Sequence, residues 1–315
     1  MSQSKFGNIP GCTKPVSRLI QGTTMARNES AYPLFDAALE NGINTFDTAQ
    51  VYGNEGVLGG WIAARNNHDK VNILTKGAHH NADGRRVTPK DIDTDVEGSL
   101  QKLGVEHIDI YILHRDDPSV PVGPIVEVLN KHQKAGNIGA FGGSNWTHTR
   151  IKEANEYAAA NGLVPFAISN PNFSVVDMVE EPWSECVSIA GTQGREAREW
   201  YAAQKDLVLF TWSTLAGGFL SGRVTRENKD SDEWNSGLVK RCYFSDDNFT
   251  RLDRVREIGA KKGLSVPQVA LAYVLSQPGN IHTLIAPVTP DEIAQNVAAL
   301  DVTLTADEIA YLELR

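Results

Sequence analysis

Short β-branched or apolar runs alternate along this chain with longer segments whose apolar residues recur at helical spacing, the pattern of parallel strands joined by crossover helices. Strands are predicted over Arg18 to Gly22, Thr45 to Thr48, Asn72 to Lys76, Ile108 to Leu113, Ile138 to Gly142, Phe166 to Ser169, Val208 to Trp212 and Thr283 to Ala286. Helical spacing is clearest over Tyr32 to Glu40, Ile92 to Leu103, Ile125 to Lys134, Ile151 to Ala160, Glu196 to Ala203 and Val266 to Leu275. Thr88 before Pro89, and Ser265 shortly before Pro267, set a hydroxyl cap ahead of a proline in the first turn. Asn41-Gly42, Ala135-Gly136 and Asn161-Gly162 supply the left-handed residue that helix ends favour.

Each strand-plus-helix unit takes roughly 30 to 40 residues without internal repetition, which suits a closed α/β barrel of the (β/α)8 TIM type. One such domain is expected to span residues 1–315. A doubly wound open sheet is the alternative; it usually carries Gly-x-Gly-x-x-Gly after its first strand, where this chain reads Gly22-Thr23-Thr24-Met25. The segment from Gly217 to Ser245 is predicted to be a long loop over the C-terminal face, because loops of that length are usually lids or binding loops.

Composition narrows the class. With 41% hydrophobic and 22% charged residues the chain reads as a soluble globular protein with a large core, and disorder is expected only at the first few residues. A net charge of -9 without a dense Lys/Arg cluster argues against a nucleic-acid surface. The longest apolar runs, such as Val269 to Leu275, fall far short of the roughly 20 residues of a membrane span. Met1 to Pro10 has no cationic end followed by an apolar stretch, so a cytoplasmic location is expected. Cys12, Cys186 and Cys242 are widely separated and form no Cys-x-x-Cys pair, which suggests reduced thiols rather than a disulfide framework or a zinc site.

In such a barrel the C-terminal strand ends face one bowl. Asp47 and Tyr52 follow the second predicted strand, Lys76 ends the third and His114 follows the fourth. A phenol with a reference pKa near 10 needs neighbouring positive charge to donate a proton readily near neutrality. Lys76 would supply that charge, Asp47 would keep it protonated, and His114 would orient a carbonyl or share the proton load. Tyr52 would then protonate a carbonyl oxygen as hydride reaches the carbon, and deprotonate an alcohol in reverse.

These residues resemble the aldo-keto reductase superfamily, oxidoreductases that use a nicotinamide cofactor on an eight-stranded barrel. The resemblance covers nearly the whole chain. It is carried by Asn44 to Ala49 with Tyr52-Gly53, by Thr75-Lys76, by Leu113-His114-Arg115 and by Gly142 to Trp146. It implies a catalytic tetrad of Asp47, Tyr52, Lys76 and His114, with Tyr52 as general acid. It further implies that Ser144 and Asn145 hold the nicotinamide carboxamide, and that Trp212 stacks on the ring where the family usually has Tyr. Asn170 stands where a Gln is usual, one methylene longer. Ser213, Thr214, Leu215 and Gly217 match the loop along the pyrophosphate, with Thr214 in place of a common proline. Gly22, Thr23 and Thr24 join this cofactor set.

Near the C-terminus the family's basic clamp for a 2'-phosphate is replaced by Ala286 and Glu292, followed by Gln295 and Asn296, the latter a candidate for the adenine amino group. A carboxylate repels a phosphate dianion but accepts hydrogen bonds from ribose hydroxyls, so NAD(H) is favoured over NADP(H). Arg223, Arg226 or Lys229 in the long loop would be the route back to NADP(H).

Met25, His79, Arg115 and Trp146 are expected at the substrate mouth, a polar rim suited to a small carbonyl, polyol or sugar. His79-His80 lacks the companion ligands of a metal site, and none is expected. The leading expectation is an NAD(P)-dependent reductase or dehydrogenase, as a monomer or homo-oligomer. The alternatives are a cofactor-binding regulatory protein resembling potassium-channel beta subunits, and a sugar-modifying enzyme with internal redox cycling.

Overall fold

The structure is a computed structural model that describes residues 5–234 and 237–315. The expectation for the first residues, and two positions of the segment from Gly217 to Ser245, lie outside it. A short antiparallel hairpin of β1 (Phe6–Gly7) and β2 (Val16–Ser17) precedes the barrel. The barrel strands are β3 (Leu19–Gly22), β4 (Thr45–Asp47), β5 (Asn72–Gly77), β6 (Ile108–Leu113), β7 (Ile138–Ser144), β8 (Ile168–Asn170), β9 (Val208–Thr211) and β10 (Asn280–Ile285). They run parallel in chain order and close where β10 pairs with β3, Thr283 opposite Leu19, and with β9, Asn280 opposite Val208. The predicted (β/α)8 barrel is therefore the fold.

The helices are α1 (Tyr32–Glu40), α2 (Glu55–Arg65), α3 (Pro89–Leu103), α4 (Val122–Lys134), α5 (His148–Ala160), α6 (Arg195–Ala202), α7 (Leu238–Tyr243), α8 (Asp246–Lys262), α9 (Val266–Leu275), α10 (Pro290–Ala298) and α11 (Ala306–Leu312). Thr88 caps α3 by accepting from the Asp91 N–H, and Ser265 forms a reciprocal capping box with Gln268 on α9. Gly42, Gly136 and Gly162 follow their helices with positive φ.

Two apolar layers hold the barrel. Inside it, Ile20, Leu74, Ile110, Ile112, Ile168, Val208 and Phe210 form one cluster, joined by Ile9 and Val16 from the hairpin. The β-branched members of this set are stiff, and together these side chains fill the layered interior of a small barrel. The hairpin loop presses on β7: a Cβ at Gly11 would lie 3.0 Å from the Ala140 backbone. Outside, α3 buries Ile92, Val96 and Leu103, and α4 buries Ile125, Val126 and Leu129. Each fully buried side chain of this size contributes about 1.5–3 kcal/mol relative to exposure.

Several elements differ from expectation for local reasons. The strand expected from Phe166 begins at Ile168, because the Phe166 N–H donates to the Asn155 side chain rather than to a neighbouring strand. The strand expected over Thr283 to Ala286 starts at Asn280 and stops at Ile285, ahead of Pro287, which has no N–H to donate. Helix α2, absent from the expected set, contains Gly59, where a Cβ would meet the Leu103 carbonyl at 2.0 Å; the glycine lets α2 and α3 touch. Helix α8 hides a stripe of Phe249, Leu252, Val255 and Ile258 among charged residues. The segment expected as one long loop contains α7, which buries Cys242 and Tyr243.

Candidate active site

All eight barrel strands deliver a residue to one cleft of about 710 Å³ at their C-terminal ends. Gly22 ends β3, Asp47 ends β4, Lys76 lies near the end of β5, and His114 follows β6. Ser144 ends β7, Asn170 ends β8, Trp212 follows β9, and Ile285 ends β10. Tyr52 sits on a 3-10 turn over Gln50–Tyr52 that Gly53 terminates at φ +71.

Lys76 and Asp47, each 2% exposed, form an ion pair, and the ammonium also donates to the Thr48 carbonyl at 3.1 Å. Lys76 Nζ lies 5.1 Å from the centre of the Tyr52 ring. The Tyr52 and His114 rings meet edge-on at 5.7 Å, and His79 meets His114 edge-on at 5.0 Å. Asp47, Tyr52, Lys76 and His114 therefore converge.

Burial opposes the Lys76 charge, but Asp47 and Tyr52 outweigh it and hold the ammonium above its usual range. The same burial pushes the Asp47 carboxyl up against the pull of Lys76, so the two ionise as a pair. Burial, reinforced by Lys76, drives His114 well below the usual imidazole range and keeps it neutral. For Tyr52 the expectation needs correcting. Lys76 does pull the phenol down, but burial is the larger influence and Tyr52 stands above its ordinary value.

The Tyr52 turn is anchored by Asn54, which sequence reasoning passed over. Asn54 is 2% exposed; it accepts from the Thr48 hydroxyl at 2.7 Å and donates to the Thr23 carbonyl and hydroxyl. An asparagine two residues after the tyrosine was the signal available in the sequence.

At the ends of β7 and β8 the amides and hydroxyl interlock. The Ser144 hydroxyl donates to the Asn170 carbonyl at 3.1 Å, and the Asn145 amide donates to the Ser144 hydroxyl at 3.3 Å. The Asn170 amide nitrogen donates to the Phe210 carbonyl, which leaves its side-chain oxygen as the acceptor toward the cleft. Trp212 Nε1 and His114 Nδ1 are buried without a partner among the described residues. Orphaned polar atoms beside an amide cluster and an indole face fit a planar ligand bearing a primary carboxamide, such as nicotinamide.

Ser213, Thr214, Leu215 and Gly217 line the next part of the cleft, where Ser213, Ala216 and Gly217 adopt φ of +50, +51 and +61. Left-handed backbone of this kind turns successive N–H groups toward one side, as anion-binding loops do. Glu292, Gln295 and Asn296 of α10 close the far end with Ala286. The Glu292 carboxylate accepts the Val288 N–H at 2.7 Å. Of the basic residues in the long segment, Arg223 lines the cleft and stands 3.5 Å from Glu233, whereas Arg226 is paired with Asp253 at 2.7 Å.

Thr24 and Arg115 line the cleft as well, but four expected positions do not. Thr23 is buried beneath the floor, its hydroxyl donating to the Asp47 carbonyl at 2.9 Å. Met25 is 72% exposed and lies outside the cleft. Trp146 is 1% exposed, packs against Phe166 and donates to the Arg115 carbonyl, so it supports the mouth from behind. His79 reaches the site only through its contact with His114. The cleft adds Trp183, Cys186 and Val288, which no motif marked. Among the described residues, no group of three or more His, Cys, Asp or Glu could hold a metal ion, and no helix is long and apolar enough to cross a membrane.

The chain is 29% identical over 335 residues to versiconal hemiacetal acetate reductase of Aspergillus parasiticus, with 97% of this chain and 92% of that protein covered. It is 28% identical to a probable voltage-gated potassium channel subunit beta of Oryza sativa subsp. japonica, covering 90% and 87% respectively. The solved glycerol dehydrogenase of Gluconobacter oxydans superposes with a TM-score of 0.76 at 23% identity, covering 98% of this chain and 94% of that one, which speaks for the fold. The aldo/keto reductase family model matches residues 18–314, and the chain belongs to that family of NAD(P)-dependent oxidoreductases acting on carbonyl compounds.

Proposed function

We propose that this chain interconverts a small polar carbonyl compound, a sugar or polyol among them, and its alcohol, with Tyr52 as the proton donor and NAD(H) preferred over NADP(H). The observation that carries this reading is the buried Asp47–Lys76 pair set beneath Tyr52, with neutral His114 against the same ring. Ser144, Asn145 and Asn170 would hold the carboxamide, Trp212 the ring face, and residues 213–217 the pyrophosphate. A nicotinamide bound there supplies the hydride.

The remaining work falls to the protein. Neutral His114 can donate to the carbonyl oxygen without competing for its proton. The Tyr52 hydroxyl gives that oxygen its proton, and Lys76 steadies the phenolate left behind. Asp47 holds Lys76 protonated, so the stabilising charge is fixed before reaction. The NAD(H) preference rests on Glu292 and Ala286 at the far end of the cleft. The three free thiols suit a reducing, cytoplasmic setting.

Similarity to a channel beta subunit supports a second reading, regulation through cofactor binding. Sugars, inositols and small aldehydes, screened with NADH and NADPH by absorbance of the reduced nicotinamide, separate the two. Turnover supports the enzyme; cofactor binding without turnover across the panel supports the regulator.

A further inference from the structure

The cleft carries a cation that the proton relay does not use. Arg115 follows His114 at the end of β6, is 5% exposed and lines the cleft. Its charge acts on Tyr52, His114 and His79, so it sits at the reacting end. One terminal nitrogen donates to the Glu185 carbonyl at 3.3 Å and approaches Cys186 Sγ at 3.8 Å, while Nε is buried without a partner among the described residues.

The acids nearby are committed elsewhere. Asp47 pairs with Lys76, Asp116 with Arg150 at 3.1 Å, and Asp117 and Glu185 both with Arg85. Among the described residues Arg115 has no carboxylate partner. Its histidine neighbours add no charge: burial, with Arg115 contributing, holds both His114 and His79 below the usual imidazole range. A buried guanidinium without a counter-ion is costly, and its planar fork of donors matches the oxygens of a carboxylate or phosphate.

We propose that the substrate carries an anionic group, a carboxylate or a phosphate ester, a few bonds from the reacting carbonyl, and that Arg115 binds it. This rests on the hydride-transfer reading of the cleft. Trp183, 56% exposed and 6.4 Å from the Trp212 ring, adds an aromatic wall at the opening for the carbon skeleton between the two groups.

The test uses matched pairs: glyceraldehyde 3-phosphate against glyceraldehyde, and succinate semialdehyde against butanal. The anionic member of at least one pair should exceed its neutral partner by about tenfold or more in kcat/KM, and which pair does so separates phosphate from carboxylate. In Arg115→Gln the ratio should fall to near one, while Arg115→Lys should keep part of it. Cofactor affinity, read by tryptophan quenching, should be unchanged in both.

Equal kcat/KM within both pairs, or an equal loss on both members in Arg115→Gln, would overturn the proposal. Weakened cofactor binding in Arg115→Gln would assign Arg115 to the cofactor and overturn it too. If no carbonyl turns over, the hydride reading fails, and quenching by succinate and by inorganic phosphate still decides this one. Binding of either anion that Arg115→Gln abolishes supports it; binding of neither, or equal binding by wild type and variant, overturns it.

Discussion

Lys76 Nζ stands 5.1 Å from the centre of the Tyr52 ring while it is paired with Asp47. The three groups share one buried charge balance. Lys76→Met should lower kcat by about 10² to 10⁴. It should also destabilise the protein by about 3–5 kcal/mol, because Asp47 is left buried and unpaired. With the ammonium gone, the phenol loses the influence that pulls it down, so its already raised pKa climbs further. In the oxidative direction, which needs the phenolate, the alkaline rise in rate should move to higher pH. A pH profile of alcohol oxidation in wild type and variant checks that direction.

Asn54 ties the Tyr52 turn to Thr23 and Thr48. Asn54→Ala leaves those partners unsatisfied in a buried place, at about 1–3 kcal/mol. Its turnover should fall more than its cofactor affinity, since the turn displaced is the one that carries the phenol. Thermal unfolding together with kcat and cofactor titration tests this.

His282 lies inside the fold at 0% exposure, its Nδ1 2.9 Å from the Ser17 carbonyl and its Nε2 without a partner among the described residues. Burial takes its pKa from 6.5 to about 3. Between those values the unfolded chain binds a proton that the folded chain does not, so stability falls as pH drops from 6.5 toward about 3, by about 1.4 kcal/mol per pH unit. His114, lowered by burial and Lys76, acts in the same direction. His282→Leu should be slightly less stable at neutral pH, having lost the bond to Ser17, yet lose stability less steeply in acid. Urea unfolding at a series of pH values measures both.

Glu292 holds the start of α10 by accepting the Val288 N–H and stands at the cleft's far end. Fluorescence titration should show NADH binding at least as tightly as NADPH. Glu292→Arg together with Ala286→Lys should tighten NADPH binding by about tenfold or more, because two cations replace a repulsive carboxylate. NADPH binding more than about tenfold tighter than NADH in wild type would contradict the NAD(H) preference.

The barrel was legible because its strands are near-continuous apolar runs, and the ends of those runs already held Asp47, Lys76 and His114. Helices α2 and α8 were not, since glycine-permitted contact in one and a charged surface in the other mask the apolar stripe. Trp146 shows a related limit. It follows Ser144 and Asn145 closely in sequence, but it turns back into the core against Phe166 while they face the cleft. Trp183 reaches the cleft only through the path of the chain after β8, which no local pattern encodes. The direction of the Tyr52 shift was equally hidden, because sequence names the lysine but not the degree of burial that outweighs it.

Tyr52→Phe tests the proton-donor role most directly. The variant keeps the ring and removes only the hydroxyl, so NADH quenching of tryptophan fluorescence should be nearly unchanged. On a carbonyl substrate that wild type turns over, reduction should drop by at least about 10² to 10⁴. Reduction at the wild-type rate by a Tyr52→Phe protein that binds NADH normally would contradict it.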